Sequence, residues 1–163
     1  MTEATVRRAA QLSAVLNGVI LASQVRDQLR LVPMWERLGP DEFRTWFRHH
    51  ALRSARWHAP VLLLGLGAAV AATGGPGGAA RESAVPRLAL VGVALHAAVT
   101  MFVHVPTNVI LLATWGRDRS DLLRKRWIHW HRIRVKALVV GEAAAVAALT
   151  PARPSLSWRA GTC

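Results

Sequence analysis

Residues 59–73, APVLLLGLGAAVAAT, carry no charge and form one of four apolar runs that divide the chain. The others cover residues 9–25, 88–115 and 135–150. A helix that crosses a bilayer needs about 20 predominantly apolar residues. The second and fourth runs fall slightly short, so flanking amphipathic segments must complete them. Alanine and glycine dominate both, which favours close approach between helices over bulky lipid-facing side chains. Four antiparallel helices in one domain satisfy these demands. The sequence therefore reads as all-α: an integral membrane four-helix bundle with amphipathic interfacial helices in the first and third connections, and a tail over residues 151–163.

Composition supports this reading by a conflict. Hydrophobic residues make up 52% of the 163, yet the formal net charge is +12. A soluble domain rarely combines the two, whereas a membrane protein does so by confining charge to its loops. The basic residues are separated by long uncharged runs, and no nucleic-acid-binding motif accompanies them, so no nucleic-acid partner is expected. The single cysteine, Cys163, excludes an internal disulfide and a cysteine-based metal site. The first residues look superficially like a signal peptide, but Asn17 and Gln24 interrupt the run and three more runs follow. It is read as a retained first helix.

The connections differ. GGPGG, between the second and third runs, is a turn and has none of the features of a phosphate cradle. Between the first and second runs, Phe43, Trp46, Phe47, His50, Ser54 and Trp57 share one helical face, as in a helix lying at the membrane surface or capping the bundle. Between the third and fourth, the segment carries Leu123, Trp127, Trp130 and His131 on one side and Arg124, Lys125, Arg126 and Arg132 elsewhere, and runs on into the last span. Of the 21 lysines and arginines, fifteen fall in the first and third connections. The positive-inside rule puts both in the cytoplasm, with the protein in the plasma membrane.

Polar residues inside the runs are costly and each needs a reason. Ser13, Asn17, Gln24 and Gln28 line one face of the first helix, suited either to interhelical hydrogen bonds or to a cavity. His96, Thr100, His104 and Asn108 form a second stripe, broken by Pro106, which frees backbone groups and opens a pocket. His96 reads as structural. Glu142 lies three helical turns from His131 on one face, available for a cavity, an ion pair or a helix contact. None of the seven histidines forms a standard metal motif, so no metal is assigned, although a site assembled across helices stays open.

Val105-Pro106-Thr107-Asn108 ending the third run, then Trp115, then Trp127, His131 and Arg134 before the fourth resembles the anthrone-oxygenase-like family of small four-helix membrane proteins. His58 and Pro60 resemble the end of that family's first connection, while the polar Gln24 to Gln28 segment departs from its apolar first helix. The resemblance implies a tailoring enzyme for aromatic polyketide-type molecules, with dioxygen as co-substrate and no cofactor. Its partners would be a hydrophobic aromatic small molecule and membrane lipid, with a homo-oligomer compatible with either.

On this reading His131 is the base, and Arg134 and Asn108 stabilise the oxyanion, with His58 and His104 as further catalytic candidates. Trp115, Trp127 and Trp130 stack on the substrate, and Asn17, Gln24 and Glu142 line its pocket. A cyclase or isomerase acting on a similar molecule, and a non-enzymatic protein that binds one, are the alternatives.

Overall fold

The computed structural model describes residues 1–73, 84–113 and 117–150, the side chains at 52 and 117–120 excepted. All regular structure among them is helical. Helix α1 (Glu3–Arg26) runs through a π-helical turn (Asp27–Leu31) into the short α2 (Val32–Arg37). Helix α3 (Pro40–Ala72) returns. Helix α4 (Ala84–Val99) passes through a second π-helical turn (Thr100–His104) into α5 (Val105–Leu112), and α6 (Arg117–Leu149) completes the chain.

Both wide turns have the same local cause. Pro33 follows the first and Pro106 the second. Each proline lacks the N–H that the carbonyl four residues back would accept. The preceding residue bridges the gap with a longer loop: Val32 N–H bonds the Asp27 carbonyl, and Val105 N–H bonds the Thr100 carbonyl. Pro106 was expected to disturb the third run, and the disturbance is a π-helical turn that carries His104 inward, where it is buried. Pro33 does the same for the end of the first helix.

The long helices alternate in direction. Ser13 meets Gly65 and Gln24 meets His58, so α1 and α3 are antiparallel. Gly92 meets Gly141 while His96 meets the Arg134 carbonyl, so α4 and α6 are antiparallel too. α4 packs most extensively on α6, and α1 on α3. Two stretches, Arg53–Ala72 and Ala84–Leu112, are long and apolar enough to cross a membrane. The other two expected spans, residues 9–25 and 135–150, are helical within α1 and α6 but do not reach that threshold.

Alongside its apolar core the bundle turns many large apolar side chains outward and buries a set of polar ones. Leu12, Val15, Val19, Leu63, Leu64, Val91, Leu95, Phe102, Val139 and Val140 point outward, with Phe102 80% exposed. Ser13, Asn17, Gln24, His58, His96, His104, His131 and Arg134 are buried. Apolar side chains exposed in this number are better accommodated by lipid than by water, whereas the buried polar groups are costly in either.

α3 and α6 are each 33 residues long, roughly 50 Å at the rise of an α-helix. That exceeds the ~30 Å hydrocarbon core of a bilayer. The amphipathic part of the first connection is therefore the first half of a single helix and does not lie flat as a separate one. It starts at Pro40, with Glu42 Oε2 accepting from the Gly39 N–H at 2.9 Å. Its Phe43 and Phe47 enter an apolar cluster with Val32, Trp35, Leu111, Leu123, Trp127 and Ile128, which caps the bundle.

Two arginines hold this end together. The Arg124 guanidinium donates to the Trp35 carbonyl at 2.9 Å, to those of Glu36 and Leu38, and to Asp121. It thus satisfies the open carbonyls at the end of α2. Arg48 does the corresponding work for α5, donating to the Leu112 and Ala113 carbonyls at 3.2 and 3.4 Å. Lys125, then Arg124, hold the Asp121 carboxyl below its usual range. This contribution to stability is present at neutral pH and is lost as acid protonates the folded-state carboxylate. Arg124→Lys keeps the charge but loses the fork. It is expected to cost about 1–3 kcal/mol, read as a lower thermal midpoint in detergent. An unchanged midpoint would show that the cap is dispensable.

Candidate functional site

Between the aromatic cap and the middle of the bundle lies a polar cluster contributed by all four long helices. Its centre is Arg134 on α6, buried to 8% exposure. One terminal nitrogen donates to Thr100 Oγ1 at 3.4 Å and the other to His131 Nδ1 at 3.1 Å. Its guanidinium carbon lies 5.8 Å from the Trp127 ring centre, a cation–π contact. Among the described residues no carboxylate forms a salt bridge with it. The carboxylate that acts on it is Asp27, which is paired with Arg26 at 2.9 Å.

Hydrogen bonding assigns the histidine tautomers. A guanidinium only donates, so His131 Nδ1 accepts and its proton sits on Nε2, which is buried without a partner. His96 is the converse. Its Nδ1–H donates to the Arg134 carbonyl at 3.4 Å, leaving Nε2 as a bare, buried acceptor with no partner. His58 Nε2 accepts from the Gln24 amide at 3.1 Å, and its ring stacks on His96 with centroids 6.1 Å apart. Neither nitrogen of His104 has a hydrogen-bond partner; the Trp130 carbonyl faces the ring outside bonding geometry. Arg134 Nε, Gln24 Oε1, Gln28 Oε1 and Trp35 Nε1 are likewise buried and unpartnered. Buried polar groups are normally satisfied, so this concentration of exceptions makes the cluster the candidate site for a ligand or water.

The aromatic side chains form its floor. Trp127 stacks flat on His131, at 5.4 Å and 6°. Trp35 meets Trp127 edge-on at 4.8 Å and His131 at 5.8 Å. His104 lies edge-on to Trp127 at 4.9 Å. Trp127 Nε1 donates to Asn108 Oδ1 at 2.8 Å, so each is the other's partner.

The structure thus brings together His131, Arg134, His104, His58, Gln24, Trp127 and Asn108, all expected site residues. The roles shift. His131 directs its lone pair at Arg134 and presents a donor, while Asn108 is engaged by Trp127. Trp130 is half-buried with its ring against His129. Trp115 lies outside the described residues. Asn17 bonds Ser13 at 3.0 Å, and Glu142 faces Gly18 of α1; neither touches the histidines. Two further residues of the cluster were not among the expected site residues. His96 read as structural, yet its tautomer leaves a free lone pair. Trp35 went unremarked, although Val32-Pro33 before it repeats the Val105-Pro106 step that marked the other kink.

A guanidinium amid four imidazoles disfavours a bound dication by charge. Among the described residues no group of three His, Cys, Asp or Glu is placed to hold a metal ion. The arrangement suits an anion: a fixed positive charge, an imidazole donor and an imidazole acceptor, enclosed away from water. No protein-family model matches the chain, and no curated protein or solved structure matches it either.

Proposed function

We propose that this chain is an integral membrane enzyme, a cofactor-independent oxygenase acting on a flat, hydrophobic phenolic substrate of the anthrone type. The single observation that carries the reading is Arg134: a buried cation with no carboxylate bonded to it, flanked by imidazoles locked in opposite tautomers. An outward apolar surface on all four long helices supports the membrane setting, and the basic connections then face the cytoplasm. Substrates of this class partition into lipid.

In this reading His96 Nε2 takes a proton from the activated CH₂ carbon. His131 Nε2–H and Arg134 Nε–H donate to the resulting enolate oxygen. The carbanion adds dioxygen to give a hydroperoxide, and loss of water leaves a new carbonyl, one oxygen going to product and one to water. His104 and His58 serve proton transfer at the edge of the cluster. A cyclase or isomerase would use the same acid and base without consuming oxygen.

The test is oxygen uptake and quinone formation from an anthrone in membranes containing the protein. His96→Ala is expected to lower turnover about 10²–10⁴-fold, the range of a general base. Product formation that persists without dioxygen, or full activity in both His96→Ala and His131→Ala, removes the proposal.

A further inference from the structure

The polar interior is not continuous. Ile20 of α1, Leu62 of α3, Val93 of α4 and Leu138 of α6 form one apolar layer, each at most 4% exposed. On α1, α3 and α6 a polar or glycine residue lies about one turn to either side of it, while on α4 a glycine adjoins it and a histidine follows one turn on. α1 passes from Asn17 through Ile20 to Gln24, and α3 from Gly65 through Leu62 to His58. α4 has Gly92 beside Val93 at the layer and His96 one turn beyond it. α6 passes from Glu142 through Leu138 to Arg134, each one turn from the next. On the far side Ser13, Asn17 and Glu142 sit below a cavity of about 350 Å³ at the end of the bundle, which Ser13 lines together with Ala10, Ala69, Ala89 and Ala145. Asn17 Oδ1 and Glu142 Oε2 are buried there without partners, and Asn17 is fully buried. Acceptors left open beneath a cavity call for water.

We infer that Ile20, Leu62, Val93 and Leu138 form a water seal dividing the interior into two compartments. The outer one, on Ser13, Asn17 and Glu142, is hydrated from the end of the bundle. The inner one, on Gln24, His58, His96, His131 and Arg134, is closed at its other end by the aromatic cap and is reached sideways from the lipid. A carbanion formed in the inner compartment is thereby kept from the water of the outer one. The inference deepens the proposed function by adding the substrate's route, and it rests on the membrane setting, not on the reaction.

Thiol labelling tests it without reference to activity. In a Cys163→Ser background, Ser13→Cys reports on the outer compartment, Gln24→Cys on the inner one and Val19→Cys on the outward face. In membranes, a charged methanethiosulfonate ethylammonium reagent should label position 13 at least about tenfold faster than position 24, a barrier difference of roughly 1.4 kcal/mol. Apolar N-phenylmaleimide should label position 24 readily. Adding Leu138→Ser should open position 24 to the charged reagent. The near-isosteric Val93→Thr should do so to a smaller extent, and it guards against misfolding of the first. Equal charged labelling at 13 and 24 without the second change overturns the seal, as does failure of both layer variants to raise labelling at 24. Charged labelling at position 19 overturns the sideways route by sinking the membrane setting. The oxygenase reading is separately judged by turnover.

Discussion

Arg134→Met is expected to lower turnover about 10²–10³-fold while leaving the protein as stable as before, or more so. A guanidinium buried without a bonded carboxylate recovers little of its lost hydration, and even complete buried ion pairs are often replaced by apolar residues of similar volume with a neutral or stabilising outcome, about 1–4 kcal/mol. The bonds it makes, 3.1 Å to His131 and 3.4 Å to Thr100, are few for a group with five donors. A side chain kept there for the fold alone would lower stability when removed. One kept for an anionic intermediate should cost activity instead, about 10²–10³-fold for a lost oxyanion donor. The measurements are the thermal midpoint in detergent and the rate of quinone formation in membranes. A lower midpoint with unchanged turnover would make Arg134 structural and end the mechanism proposed for it.

The largest effect on stability is expected at Gly92. A Cβ built there would lie 2.5 Å from Gly141 Cα and 2.7 Å from the Ala137 carbonyl oxygen. Those are backbone atoms of α6, so no side chain can swing away. Gly92→Ala must push α4 from α6, at a cost of about 1–3 kcal/mol or more. At Gly141 the contacts are 3.0 Å and longer, so Gly141→Ala should cost less. Gly67 has nothing within 4 Å, and Gly67→Ala should be neutral or stabilising by about 0.4–1 kcal/mol. The order of thermal midpoints is therefore Gly67→Ala highest, Gly141→Ala lower and Gly92→Ala lowest. Because the same seam carries the His96–Arg134 contact, Gly92→Ala should also reduce turnover. Equal midpoints for Gly92→Ala and Gly67→Ala would contradict the close packing.

The helices, their order and most residues of the polar cluster were legible in the sequence. Apolar runs of the right length imply helices whatever surrounds them, and a histidine or arginine at the edge of such a run is too costly to be incidental. Pro106 announced a disturbed helix because its ring alters hydrogen bonding locally, with no help from neighbours.

What remained hidden depends on which helix faces which. Arg124 counted as a topology signal until α2 brought its open carbonyls to it. Tautomers are set by partners: the Arg134 carbonyl makes His96 the acceptor, and its guanidinium makes His131 the donor. Periodicity placed His131 and Glu142 on one face of α6, correctly. Only the packed bundle inserts Ile20, Leu62 and Val93 beside Leu138 between them and parts the interior in two. A single helix records which residues share a face; the depth at which other helices close over that face is a property of the tertiary structure alone.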